Sequence, residues 1–271
     1  MNSKKIQSEK QRKERLGMLN RSKESLGHYE MKIIEYNKAI DIVVEFQDEH
    51  KARVRTSYAT FVKGNIKNPY HKSVYGIGYI GEGEYKTSEN GVHTKAYVSW
   101  TSMIYRCYSS NYLSKFPSYI DCYVCDEWHN FQNFAKWYYK NYYEIDGEIM
   151  CLDKDILIKG NKVYSPETCI FVSNNINVLF CKRNKARGKY PIGVQWDKEK
   201  RKYIANCDIF DKETNKSRQK FIGRYDTIEE TFLAYKQFKE NYIKQVADEY
   251  KNLIPKELYE AMYNYKVEMN D

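Results

Sequence analysis

Three short strand-like runs and one amphipathic helix near the end of the chain decide the fold: IGVQW (192–196), KYIANCDI (202–209), KFIG (220–223) and the stretch from Thr227 to Val246. Charged turns separate the three runs, and each run is rich in β-branched or aromatic residues, which predicts an antiparallel meander. Thr227 and Glu230 have the spacing of a capping box, and apolar residues then recur every three or four positions. We therefore expect a three-stranded antiparallel sheet closed by a helix.

The rest of the chain predicts an α+β fold made of several modules. Upstream lie β-branched runs at 31–36, 42–46 and 54–61, helical patterns at 100–107 and 128–137, a strand at 151–157, and a strand or short helix at 167–180. The predicted divisions are a charged N-terminal arm (1–30), a small β-module with a glycine-rich linker near 76–95 (31–95), a middle module (96–181) and the sheet with C-terminal helices (182–271).

The positive charge of the chain is concentrated in the predicted sheet. The 271 residues carry a formal net charge of +9. From position 182 to position 224 there are fourteen Lys or Arg against five Asp or Glu, an excess equal to that of the whole chain. Such a concentration favours a polyanionic partner, although a charged run is also typical of a solvated face.

Several other classes of protein are disfavoured. No apolar stretch approaches the roughly twenty residues that cross a bilayer, so we expect a soluble protein without a membrane partner. Seven cysteines behind a charged N-terminus indicate reduced thiols and a cytoplasmic protein. The glycines between 76 and 83 precede no helix start, which argues against a phosphate loop. Nothing in the pattern points to a small-molecule substrate or to an oligomeric state.

The C-terminal sheet region resembles the plant ethylene-response-factor (apetala-type) DNA-binding domain, which also occurs in phage homing endonucleases. The matching elements are Gly193-Val194-x-Trp196, Lys202-Tyr-Ile-Ala205, Ile222-Gly-Arg-Tyr-Asp-Thr227, Glu229-Glu230 and Ala234-Tyr235. The resemblance implies that the sheet lies in the major groove of duplex DNA. The candidate DNA contacts that it implies are Gln195, Lys198, Lys202, Tyr203, Lys220 and Arg224. The basic run before the first strand adds Arg187. Tyr203 stands where that family usually has Trp.

The middle module resembles a phage family of HNH-like endonucleases, whose fold is of the ββα type. The shared frame is Trp100-x2-Met103-x2-Arg106-Cys107, Tyr119, Val124-Cys125-x2-Trp128-x2-Phe131-x2-Phe134, Leu152-Asp-Lys-Asp155, Asn161, Tyr164-Ser-Pro-Glu-Thr-Cys169 and Asn177. The resemblance implies catalytic positions at Asp153, Lys154 and Asn161, and a Mg²⁺ or Mn²⁺ site at Asp153 and Asn177.

The position of the general base departs from the HNH pattern. An active site of this kind needs a His that activates water, and Lys154 stands where Asp-His is expected. A lysine is ordinarily protonated at neutral pH and cannot accept the proton. We expect weak or absent cleavage, with His129 as the alternative base.

Cys122, Cys125 and His129, with Cys107 upstream, have some of the spacing of a zinc site. The spacing is incomplete, and the cysteines also fit core positions, so zinc is not expected.

These features predict a sequence-preferring duplex DNA-binding protein of phage or mobile-element origin, related to HNH homing endonucleases and capable at most of weak metal-dependent nicking. The alternative is a catalytically inactive DNA-binding regulator or phage factor. An RNA-binding protein would rest on the same charge and aromatic content.

Overall fold

The computed structural model describes residues 2–181, 189–211 and 216–271. It is a mixture of helices and strands with a three-stranded antiparallel sheet near the C-terminus. The chain divides into two compact units, Met1–Tyr139 and Lys140–Asp271. This division falls within 96–181, the range of the predicted middle module.

The first half of unit 1 is a four-stranded antiparallel sheet in the order β1-β2-β3-β4. Its elements are α1 (Asn2–Met18), β1 (Ser22–Glu24), β2 (Glu30–Lys38), β3 (Asp41–Phe46), β4 (Arg53–Thr56) and α2 (Tyr58–Lys63). Ile42, Val44 and Phe46 alternate along β3 and are fully buried. The strand predicted at 54–61 ends at Thr56, because the Ser57 side chain accepts from the backbone N–H of Thr60 and starts a helix.

The second half of unit 1 is mainly helical. It contains β5 (Ser88–Glu89), β6 (Val92–His93), α3 (Lys95–Tyr108), α4 (Ser110–Lys115), β7 (Tyr123–Val124), α5 (Phe131–Asn141) and short 3-10 turns at Pro117–Tyr119 and Asp126–His129. Trp100 and Trp128 are fully buried, and the Trp100 indole N–H donates to the Trp128 carbonyl over 2.7 Å. The two helical patterns of the sequence are thus confirmed as α3 and α5.

The glycine-rich stretch predicted as a linker near 76–95 is packed against these helices. The Tyr79 backbone N–H donates to the carbonyl of His129, and its own carbonyl accepts from the N–H of Phe131, both over 2.9 Å. A Cβ at Gly78 would overlap the Trp100 ring, so glycine is needed for this close approach.

Unit 2 opens with a long-looped hairpin, formed by two paired antiparallel strands with a short third strand in the connection between them, and a short helix follows it. Its elements are β8 (Met150–Asp153), β9 (Val163–Tyr164), β10 (Ile170–Ser173), α6 (Asn174–Asn177) and a 3-10 turn (Val178–Phe180). β8 pairs with β10, with Asp153 opposite Ile170. Behind the hairpin, Val172, Ile176 and Ile243 form part of an apolar core.

The sheet predicted near the C-terminus is present, with β11 (Val194–Asp197), β12 (Lys202–Asp211) and β13 (Lys216–Tyr225) in that order. Helix α7 (Ile228–Tyr250) covers one face and is followed by α8 (Lys256–Tyr263). The predicted capping box is confirmed, because Thr227 and Glu230 exchange side-chain to backbone hydrogen bonds. Within the described residues, no helix combines the length and apolar character that crossing a membrane requires.

Candidate nucleic-acid interface

The C-terminal sheet has one face against α7 and one face turned away from it, which we call the outer face. Val194, Ala205 and Cys207 are buried against Phe232 and Tyr235 of the helix. Because side chains alternate along a strand, the residues between them lie on the outer face. The outer face comprises Gln195, Asp197, Lys202, Ile204, Asn206, Asp208, Gln219, Phe221 and Arg224.

Asp197 organises the basic end of the outer face. One of its carboxylate oxygens accepts the backbone N–H groups of Glu199 and Lys200, at 3.0 and 3.1 Å, and the other accepts from Nε of Arg224 at 3.1 Å. The N–H of Lys200 and the Arg224 guanidinium hold the pKa of Asp197 below its ordinary value. Asp197 therefore remains ionised at neutral pH and fixes both the turn after β11 and the Arg224 side chain.

The basic side chains around this turn are accessible. Lys198, Lys200 and Arg201 are exposed, and Arg201 has a positive φ of 55° that closes the turn. Lys202 forms an ion pair with Asp226 at 3.1 Å, with 44% of its side chain exposed. Exposed pairs of this kind are weak, so a phosphate can replace the carboxylate at little cost.

The middle of the outer face carries side-chain amides and one aromatic ring. The Asn206 amide donates to Oε1 of Gln195 over 3.3 Å. Phe221 is 48% exposed, and the Arg224 guanidinium lies 5.0 Å from its ring centroid. Asp197, Asn206 and Phe221 were not among the residues predicted from the sequence. Strand alternation alone would have identified Asn206, which lies four positions from Lys202.

The structure distributes the predicted contacts over different places. Gln195, Lys202 and Arg224 lie on the outer face, and Lys198 lies in the turn beside it. Tyr203 packs on the helix side, 4.7 Å from the Trp196 ring. Lys220 is exposed but pairs with the buried Cys207, on the helix side of the ladder. Arg187 lies outside the described residues.

The hairpin of unit 2 holds the three predicted catalytic residues. Oδ1 of Asp153 accepts the backbone N–H groups of Asp155 and Ile156, each over 2.8 Å. Burial raises the pKa of Asp153 to about 6, and the Asp155 carboxylate adds to the rise. Lys154 is nearly buried, with its ammonium 3.1 Å from Asp155 and 5.9 Å from the centre of the Tyr164 ring.

Asn161 braces the loop between β8 and β9. Its amide N–H₂ donates to the carbonyls of Lys154 and Val163, each over 2.7 Å, and its oxygen accepts from the Val163 N–H over 3.2 Å. Asn177, the last residue of α6, is half-buried and follows the strand end at Ser173, whereas Asp153 lies at the other end of the β8–β10 ladder. The hydrogen bonds of Asn161 stabilise the loop between β8 and β9.

The predicted metal ligands form no evident ion site. Among the residues that the structure describes, no three His, Cys, Asp or Glu side chains lie together in a group that could hold a metal ion. At the zinc candidate, Nε2 of His129 lies 3.1 Å from the Val124 carbonyl and Nδ1 lies 3.7 Å from Asp126. Cys122 is buried, and its thiol is directed to the Ser118 carbonyl at 3.9 Å.

Comparison of the chain with protein-family models, with curated proteins and with solved structures gave no match. The resemblances to apetala-type domains and to HNH-like endonucleases therefore rest on the sequence motifs given above.

Proposed function

We propose that this protein binds duplex DNA through the outer face of the C-terminal sheet. The observation that carries the proposal is that the exposed cations of the turn after β11 lie beside Lys202 and Arg224, on a sheet face that α7 leaves uncovered. An antiparallel sheet face of this size suits the major groove, where amide and guanidinium groups can read base edges. The resemblance to apetala-type domains favours the same surface.

The outer face divides into two kinds of contact. The turn residues Lys198, Lys200 and Arg201 are exposed point charges suited to phosphates, which position the protein without reading sequence. Gln195, Asn206 and Arg224 lie between the strand ends and carry the donors and acceptors that distinguish bases. Sequence preference is therefore assigned to the amide and guanidinium groups.

We propose that the strand pair β8–β10, with β9 in its connection and α6 after it, serves as a structural support. The predicted metal ligands do not fit a divalent cation, because Asn177 follows the end of the β8–β10 ladder opposite to Asp153, and one oxygen of Asp153 already accepts two backbone N–H groups. Mg²⁺- or Mn²⁺-dependent nicking stays a prediction, which supercoiled plasmid incubated with wild type and with Asp153→Ala would test.

The motifs favour a phage or mobile-element protein that acts in the cytoplasm of a bacterial host. Within that setting, a protein that binds DNA without cutting it is the better fit to the hairpin geometry.

The test is a fluorescence-anisotropy titration of the full chain with a labelled duplex. Lys202→Ala and Arg224→Ala should each weaken binding, by roughly five- to tenfold for a phosphate or base contact at this scale. Lys256→Ala is the matched control, because Lys256 is an exposed lysine paired with Glu260 on α8. Wild-type affinity should fall steeply with added salt, since phosphate contacts release counterions.

Two results would overturn the proposal. One is equal affinity of the sheet variants and the Lys256→Ala control while circular dichroism shows that all are folded. The other is displacement of the labelled duplex by duplex RNA at lower concentration than by unlabelled duplex DNA.

A further inference from the structure

A groove runs along the free edge of β11, apart from the centre of the outer face. Its volume is about 650 Å³, and it is lined by Lys189, Tyr190, Gly193, Val194, Gln195, Trp196 and Lys198. β11 pairs only with β12 in the described sheet, so its other edge is open. The described lining residues include two lysines and two aromatic rings but no carboxylate.

The aromatic rings form a platform at this edge. Trp196 is 39% exposed, although its alternation with the buried Val194 directs it to the helix side. Its ring lies 4.7 Å from Tyr203, and Tyr203 in turn meets Tyr190 edge-on at 5.7 Å. Tyr203 thus supports both rings from within the sheet, and one large indole remains accessible to a ligand.

The charged residues that line the groove are both lysines. Lys189 lies 5.3 Å from the centre of the Tyr190 ring, and Lys198 is exposed at the other end of the groove. Aromatic rings flanked by cations are the arrangement by which proteins hold unpaired nucleotides: bases stack on the rings and phosphates meet the cations. A flat base face also needs no particular hydrogen-bond pattern from the groove.

We propose that this groove binds an unpaired base of a DNA strand, stacked on Trp196. The proposal deepens the duplex-binding function and rests on it, because Gln195 belongs both to the groove lining and to the outer face. A DNA strand that leaves the bound duplex would pass Gln195 before it reaches the Trp196 ring. The preferred substrate is then a duplex with an unpaired segment beside the bound site.

The experiment compares three labelled DNAs with the full chain: a blunt duplex, a single strand of the same sequence, and the duplex with an unpaired overhang. Trp196→Leu should weaken binding of the single strand and the overhang DNA by roughly five- to one-hundredfold, the cost of one lost base–aromatic stack. Its affinity for the blunt duplex should stay within about twofold of wild type, since the ring lies off the outer face. Trp196→Phe should restore most of the loss.

Tyr263→Leu is the matched control, because Tyr263 is 41% exposed and also lies beside a lysine, Lys244, but belongs to α8. Single-stranded DNA should also quench tryptophan fluorescence in wild type and not in Trp196→Phe. The other three tryptophans are at positions 100, 128 and 137. This second readout keeps the test decisive if Trp196→Leu folds poorly.

The two proposals fail separately. The groove proposal is overturned if the wild-type protein does not bind the single strand. It is also overturned if Trp196→Leu and Trp196→Phe bind the single strand as tightly as wild type and no quenching is seen. Neither result affects the proposal of duplex binding. If the wild-type protein binds the single strand but not the blunt duplex, the proposed function is overturned and the groove proposal is supported.

Discussion

At the scale of single residues, Asp197 links the fold of the sheet to its charge. It accepts two backbone N–H groups and one N–H from Arg224, and it directly precedes the basic turn. Asp197→Asn keeps an acceptor for the backbone but removes the negative charge. We expect this variant to bind duplex DNA roughly two- to fivefold more tightly, because repulsion of phosphates is relieved and Arg224 is released.

Asp197→Ala is the companion variant. It removes the acceptor as well, so the turn should loosen and the free energy of unfolding should fall by about 1 kcal/mol. Anisotropy and urea denaturation measure the two effects. Weaker DNA binding by a fully folded Asp197→Asn would contradict the assignment of the outer face.

Asp153 should make the free energy of unfolding depend on pH. Its pKa is raised to about 6 by burial, above the ordinary value of 3.8. The stability that this carboxyl contributes is therefore fully present below its ordinary pKa and lost as the pH rises through about 6. Asp153→Asn should be more stable than wild type by up to about 3 kcal/mol near pH 7.5, and by about 1 kcal/mol near pH 4.5.

Urea denaturation at the two pH values checks this expectation. Asp146→Asn, which changes an exposed carboxylate of the same unit, is the control. A stability difference between wild type and Asp153→Asn that is equal at both pH values would show that the carboxyl is not buried as described.

At the scale of elements, Gly193 determines how β11 enters the sheet. It has a φ of 79°, and a Cβ there would overlap the Tyr235 ring of α7. Gly193→Ala should cost at least about 3 kcal/mol, from backbone strain and overlap together. Gly160 separates backbone strain from steric overlap, because its φ is 81° but a Cβ there would meet no other atom. Gly160→Ala should cost only about 1 to 2 kcal/mol. Equal losses in thermal melts would contradict the packing of Gly193 against α7.

The elements with strong local signals were predictable. The β-branched and aromatic runs predict the three strands of the sheet, and the capping box at Thr227 and Glu230 marks the start of α7; the sheet and the capping box are both present. The helix at Tyr58 was missed because Tyr, Thr, Phe and Val in that stretch favour a strand, whereas its start depends on the Ser57 cap and its end on the left-handed Gly64.

The face of each side chain was harder to predict than the strand that carries it. Between Ala205 and Asn206 the ladder has a bulge that skips Ile222 of β13. One extra residue reverses the alternation, so Lys220 and Arg224 lie on opposite sides although they are four positions apart. The sequence also could not show that the Asn161 amide donates to carbonyls of its own loop, because those hydrogen bonds depend on the loop conformation.

At the scale of the whole molecule, the charge within unit 2 is polarised. Positions 182–224 have an excess of nine positive charges, and the rest of Lys140–Asp271 has an excess of six negative charges. A polyanion approaching unit 2 is therefore attracted to one region and repelled by the remainder, which orients it. Unit 1 has a net charge of +6, and its basic helix α1 offers a competing contact surface.

The measurement that most directly tests the location of the interface is a lysine-acetylation footprint of the wild-type protein, read by mass spectrometry with and without duplex DNA. We predict that DNA protects Lys198, Lys200 and Lys202 from acetylation. Lys256 on α8 and Lys32 on the sheet of unit 1 should react at unchanged rates. Protection of Lys32 or of the α1 lysines, with Lys198, Lys200 and Lys202 still reacting freely, would contradict binding through the C-terminal sheet.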